Sequence, residues 1–137
     1  MNRYPYLRAY MAGIVVPTPL LLLALAGFVV SRCIYSVPIV IERVIVFPMA
    51  LVPNLWGLWN MLYVALRRHS HLPLGIHGAL LPFVAMPLAF AGARALDFAI
   101  PAFVATAVAT AFPAVVVFYY LFWKHLVGFL NELLGVA

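Results

Sequence analysis

Carboxylates are scarce in this sequence: Glu42, Asp97 and Glu132 are the only three among 137 residues. Acids so few and so far apart exclude a paired-carboxylate active site. None falls inside an apolar run, where a proton-driven pump needs an ionisable group. Cysteine is scarcer still. Cys33 stands alone, which excludes an internal disulfide, and at the end of an apolar run it reads as a small apolar side chain. A Gly-rich phosphate loop, a serine–histidine–acid arrangement and a basic run are all missing. The eight Lys and Arg residues give a net charge of +5 and a pI near 9.8. They sit at the ends of apolar runs, so they read as topology signals and lipid headgroup contacts, and nucleic acid is not expected as a partner.

Charged residues of either sign make up 8% of the chain, against about a quarter in ordinary soluble domains. What fills the space is apolar: 68% hydrophobic residues and a mean hydropathy of +1.15. Four runs are long enough to cross a hydrocarbon core, which takes about 20 residues. The expected fold is an all-α membrane protein, one integral membrane domain over residues 1–137. It is a bundle of four proline-kinked transmembrane helices, at about 9–31, 44–66, 72–93 and 98–123. The apolar tail, 126–137, either continues the last helix or lies along the membrane surface.

The beginning of the chain resembles a signal peptide in part, with Arg3 and Arg8 ahead of an apolar stretch and an Ala-Leu-Ala at 24–26. The apolar run 9–30 is too long for a typical signal core, so it is read as a retained first span. Four spans put both termini on one side. That side carries Arg3, Arg8, Arg67, Arg68 and Lys124, against Arg32, Arg43 and Arg94 on the other. The five-to-three split places both termini in the cytoplasm, and the expected setting is a bacterial inner membrane. A faint repeat at an offset of 65 residues aligns Gly13, Pro17 and Gly27 with Gly78, Pro82 and Gly92, and Phe47-Pro48 with Phe112-Pro113. It suggests two hairpins of like orientation.

The richest stretch is 47–63, FPMALVPNLWGLWNMLY. On a helix, Trp56, Trp59, Asn60 and Tyr63 share one face, and Arg67 extends it by a turn. Indole N–H groups and an asparagine near mid-membrane need partners inside protein. Two readings fit: a ligand pocket or pore lining with an aromatic wall, or helix–helix packing with Asn60 bonded to a neighbour. Asn54 points to another face. Pro53 removes a backbone donor, so either the helix breaks there with Asn54 as a new N-cap, or it bends while Asn54 satisfies local backbone.

His69, His71, His77 and His125 fall near Arg67, Arg68 and Lys124 on the expected cytoplasmic side. Without a cysteine, and with only Glu132 beside them, they make headgroup contacts rather than a metal site. Haem would want paired axial ligands at membrane depth, and only His77 lies inside a span. No cofactor is expected, with bound lipid the one companion molecule. Arg94 and Asp97, three apart, read as an interfacial ion pair. Small residues at Ala102, Thr106, Thr110 and Ala114, with Ala105 and Ala109, mark a packing face, within the bundle or between subunits.

These features lead to a small non-enzymatic membrane protein, an oligomerising or accessory subunit that contacts anionic lipid and assembles as a homo-oligomer or in a larger membrane complex. Two alternatives stand beside it. One is a channel or transporter for a small uncharged or anionic solute, using a broken second helix. The other is an interfacial lipid-processing enzyme using His and Arg residues.

Overall fold

A computed structural model describes residues 4–38, 40–45, 49–97, 100 and 102–136. Arg3, the Phe47-Pro48 pair, Phe98 at the expected start of the last span, Pro101 and Ala137 lie outside the described residues. Every element among the described residues is helical: α1 Pro5–Val15, α2 Pro17–Ile34, α3 Ile41–Val44, α4 Ala50–Leu66, α5 Leu74–Ala95 and α6 Ala102–Phe122. A π-helical turn, Trp123–Val127, then leads into α7, Gly128–Leu133.

Three helices are long and apolar enough to cross a membrane: Pro5–Ile34, Leu74–Ala95 and Ala102–Leu133. The first and last run past the limits expected from sequence, because Pro17 enters at a first-turn position and the π-helical turn carries α6 on into α7. The second expected span, 44–66, is the exception. Its described apolar helix is α4, 17 residues from Ala50. Nor does Pro53 break that helix, since α4 continues through it. Asn54 is therefore no N-cap. Its Nδ2 donates to the Ala50 carbonyl at 2.6 Å, and its Oδ1 accepts the Tyr10 hydroxyl.

Helix order follows from where small residues let backbones meet. Ala9 lies opposite Asn60 and Gly13 opposite Gly57, so α1 and α4 run antiparallel. A Cβ on Gly13 would stand 2.6 Å from the Trp56 carbonyl oxygen and 2.7 Å from the Gly57 Cα. On α5, a Cβ on Gly78 would collide with the Trp123 ring, while further along Phe83 packs edge-on to Phe112 at 4.9 Å. The α5–α6 pair is thus antiparallel too. Gly13 and Gly78 are the first matched pair of the 65-residue repeat, and both are close-approach glycines. Gly27, further along that repeat, has open space around it.

Burial is concentrated at the end of the bundle where α1 starts, α4 finishes and α5 starts. Val16, Trp56, Leu81, Trp123 and Val127 form the main cluster there, with Ala9, Val64 and Val136 beside it. Away from it, α2 buries only Pro17 and α6 buries nothing. The tail settles one expectation: it continues the helix, then docks. Trp123, Val127 and Asn131 are all buried at four-residue steps. In an α-helix each such step drifts about 40° around the axis; the wider π-helical turn takes up that drift. Gly135, with φ 63°, ends the helix in a Schellman turn. The N–H of Val136 donates to Asn131 O and that of Gly135 to Glu132 O. Arg8 reaches across to donate to the Leu134 carbonyl at 3.1 Å.

At the other end the expected Arg94–Asp97 pair is not formed. Asp97 instead takes a left-handed backbone, φ 51°, and its carbonyl accepts Arg43 at 3.0 Å. The ion pair among the described residues is Arg32–Glu42 at 3.6 Å. Glu42's own backbone N–H, and then the Arg32 charge, hold its carboxyl below the ordinary carboxylate value. That contribution is present above the ordinary value and fades as pH falls through the lowered one, and full exposure keeps it small.

Candidate functional site

The polar groups that stand out in the apolar sequence converge on the packed end of the bundle, where four helical segments meet. Asn60 is at the centre and fully buried. Its Nδ2 donates to the Ala9 carbonyl at 2.8 Å and to Asn131 Oδ1 at 2.7 Å, while Asn131 Nδ2 returns a bond to Asn60 Oδ1 at 3.1 Å. This reciprocal amide pair joins α4 to α7, and its spare donor holds α1. In hydrocarbon an unpaired carboxamide is costly, so the lock is favoured by what its absence would leave exposed.

The residue before it on α4, Trp59, forms a second reciprocal link. Its Nε1 donates to the His77 carbonyl at 2.8 Å, and His77 Nε2 lies 2.9 Å from the Trp59 carbonyl. A carbonyl only accepts, so the imidazole proton sits on Nε2. The rings stack at 5.0 Å, with Tyr63 against the His77 ring at 5.3 Å. His77 is 2% exposed. Its assignment to the headgroup contacts is corrected here: it is a core residue that clamps α5 to α4, because the Trp59–Tyr63 face needs a polar partner at that depth.

Trp56 completes the aromatic layer, with Tyr119 at 5.1 Å and Trp123 at 5.5 Å. The Trp123 ring is fully buried, and its Nε1–H finds no acceptor among the described residues. The five residues expected to line a pocket or pore therefore divide. Trp56 and Asn60 are buried, Trp59 and Tyr63 are half-buried around His77, and Asn54 is exposed on another face beside Tyr10. None of them lines the groove between α5 and α6. Arg67, Arg68, His69, His71, Lys124 and His125 are all exposed at this same end, with Lys124 over the Tyr120 ring at 5.8 Å. Among the described residues no three His, Cys, Asp or Glu side chains gather at metal-binding distance.

Asn131 joins the site from the apolar tail; its four-residue spacing from Trp123 and Val127 is the signal that it faces inward. The π-helical turn that completes the alignment has no marker in the residues themselves. The amide pair has a direct test. Asn60→Leu and Asn131→Leu should each destabilise the solubilised protein by about 1–3 kcal/mol, since each strands a buried amide. The double variant should lose less than the sum of the two, by about 0.6–2 kcal/mol of coupling. Additive losses in a thermal-unfolding cycle would remove the pairing. No protein-family model matches this chain, and neither a curated protein nor a solved structure does so.

Proposed function

We propose that this chain is a non-enzymatic membrane subunit that associates with copies of itself or with a larger membrane complex. In this reading it crosses a bacterial inner membrane four times, with both termini cytoplasmic and its Arg67, Arg68 and Lys124 end on anionic lipid. The fourth crossing is α4. Its 17 residues rise about 25 Å, a few ångströms short of a core of about 30 Å. Such a mismatch is met by local thinning or snorkelling at modest cost, and α4 lies against α1 over most of its length.

One observation carries the association. The 21 residues of α6 bury no side chain within the chain, yet one face of the helix is built from Ala102, Thr106, Thr110 and Ala114, all exposed. A helix that meets only lipid has no use for small side chains, whereas a helix partner gains close van der Waals approach from them. Both threonine hydroxyls donate to the backbone one turn back, to Ala102 and Thr106, so the face offers a partner no unsatisfied donor. The alternatives draw less support, since Asn60 is used by Ala9 and Asn131 and His77 by Trp59.

The test is disulfide trapping in native membranes. With Cys33 replaced by serine, Thr106→Cys or Thr110→Cys should give an oxidised dimer at low expression. A cysteine at exposed Leu80, on α5, should give none. Equal dimer from all three positions would remove α6 as the associating face, and none from the two α6 positions would remove self-association.

A further inference from the structure

Next to the Phe83–Phe112 contact, residues of α5 and α6 line an open groove of about 310 Å³. Met86 and Phe90 form one wall, Ala105 and Ala109 the other, and Val108 and Phe112 line the inner end. No polar side chain faces it, so water has nothing to bond there. The lining is wholly apolar, which suits a hydrocarbon chain.

What lies at the mouth of the groove makes it selective. Met86, Phe90 and Arg94 follow at four-residue steps on α5, so Arg94 stands one turn beyond the apolar wall, about 6 Å further along the axis. It is exposed, at the end of a membrane-crossing helix where an arginine reaches headgroup depth. No described carboxylate pairs with it: Glu42 is on Arg32, and Asp97, three residues on, turns away in a left-handed backbone. A guanidinium is suited to the two-point grip of a phosphate.

We propose that this groove is a phospholipid site: it takes one acyl chain of an anionic phospholipid, with the headgroup phosphate on Arg94. The site lies at the end of the bundle opposite to Arg67 and Arg68. It rests on the membrane placement above; the groove takes Ala105 and Ala109 from the small-residue side of α6, while Thr106 and Thr110 lie about 100° further round the axis.

Nanodiscs of phosphatidylcholine doped with phosphatidylglycerol, followed by release into the gas phase for native mass spectrometry, test it. The wild-type protein should retain one phosphatidylglycerol molecule in preference to phosphatidylcholine. Arg94→Gln should lower that preference about tenfold, and Ala109→Phe, which fills the groove from its exposed side, should abolish retention of either lipid. Phosphatidylglycerol carrying a diazirine in its acyl chain should crosslink in the unmodified protein to peptides containing 86–90 or 105–112. Crosslinks confined to other helices, or a preference that survives Arg94→Gln and is lost in Arg67→Gln/Arg68→Gln, would overturn the proposal. The same spectra report protein stoichiometry, so loss of self-association is read separately from loss of lipid.

Discussion

Replacing Trp123 by alanine should cost more stability than any other single truncation in this protein. The side chain is fully buried and touches Trp56, His77 and Gly78, one contact on α4 and two on α5. In a bilayer the transfer term is largely lost, because lipid tails accept an indole about as readily as a packed interior does. The cavity term remains. If roughly 100 Å³ stayed open at about 24 cal/mol per Å³, the loss would be about 2–3 kcal/mol. Trp123→Phe separates volume from polarity. Its aromatic ring fills most of the space, and the indole N–H it removes has no acceptor to lose. Phenylalanine should therefore cost less than half as much as alanine in thermal unfolding of detergent-solubilised protein. Equal losses for the two variants would mean that Trp123 Nε1 is bonded after all.

Gly13→Leu should be the most damaging substitution on the first helix. Even a methyl group there would meet the Trp56 carbonyl and the Gly57 Cα inside contact distance. Both are backbone, which cannot rotate aside as a side chain can. Gly13→Ala should thus cost about 1–3 kcal/mol through overpacking, and leucine more. Gly27→Ala is the internal control. It has open space around it, and alanine in a helix is favoured over glycine by about 0.5–1 kcal/mol, so stability should hold or rise. Unfolding temperatures read by tryptophan fluorescence would rank the three. If Gly27→Ala and Gly13→Ala behaved alike, the close α1–α4 approach would be wrong.

Those two positions show how far the sequence could be read. The apolar runs announced helices because nothing else satisfies backbone in hydrocarbon, and the face shared by Trp56, Trp59, Asn60 and Tyr63 follows from helical spacing alone. That this face would need protein partners was also legible. Which partners was not. His77 reads as one of four basic-side histidines until α5 is laid against α4, and Asn131 reads as a polar residue in a tail until the π-helical turn rotates it inward. Proline was the other weak point. Pro53 removes one donor, but α4 runs on through it and the Asn54 side chain bonds the Ala50 carbonyl, so a residue pair that looks like a break leaves the helix continuous. The Arg94–Asp97 spacing suggested an ion pair, and the left-handed turn at Asp97 gave its carbonyl to Arg43 instead. Local periodicity is set by one helix. Partnership is set by two, and by the turns between them.

The Asn60–Asn131 bond also sets a timetable for synthesis. Ala9, which takes one Asn60 donor, is already in the membrane when α4 emerges. Asn131 is made 71 residues after Asn60. At about 5–20 residues per second, the ribosome needs roughly 4–14 s to cover that distance. For that interval the Asn60 carbonyl oxygen is without its native partner, and any group that offers a hydrogen bond can hold it. The last helix to be made thus completes the hydrogen bonding of α4, and the packed end closes only when the tail arrives.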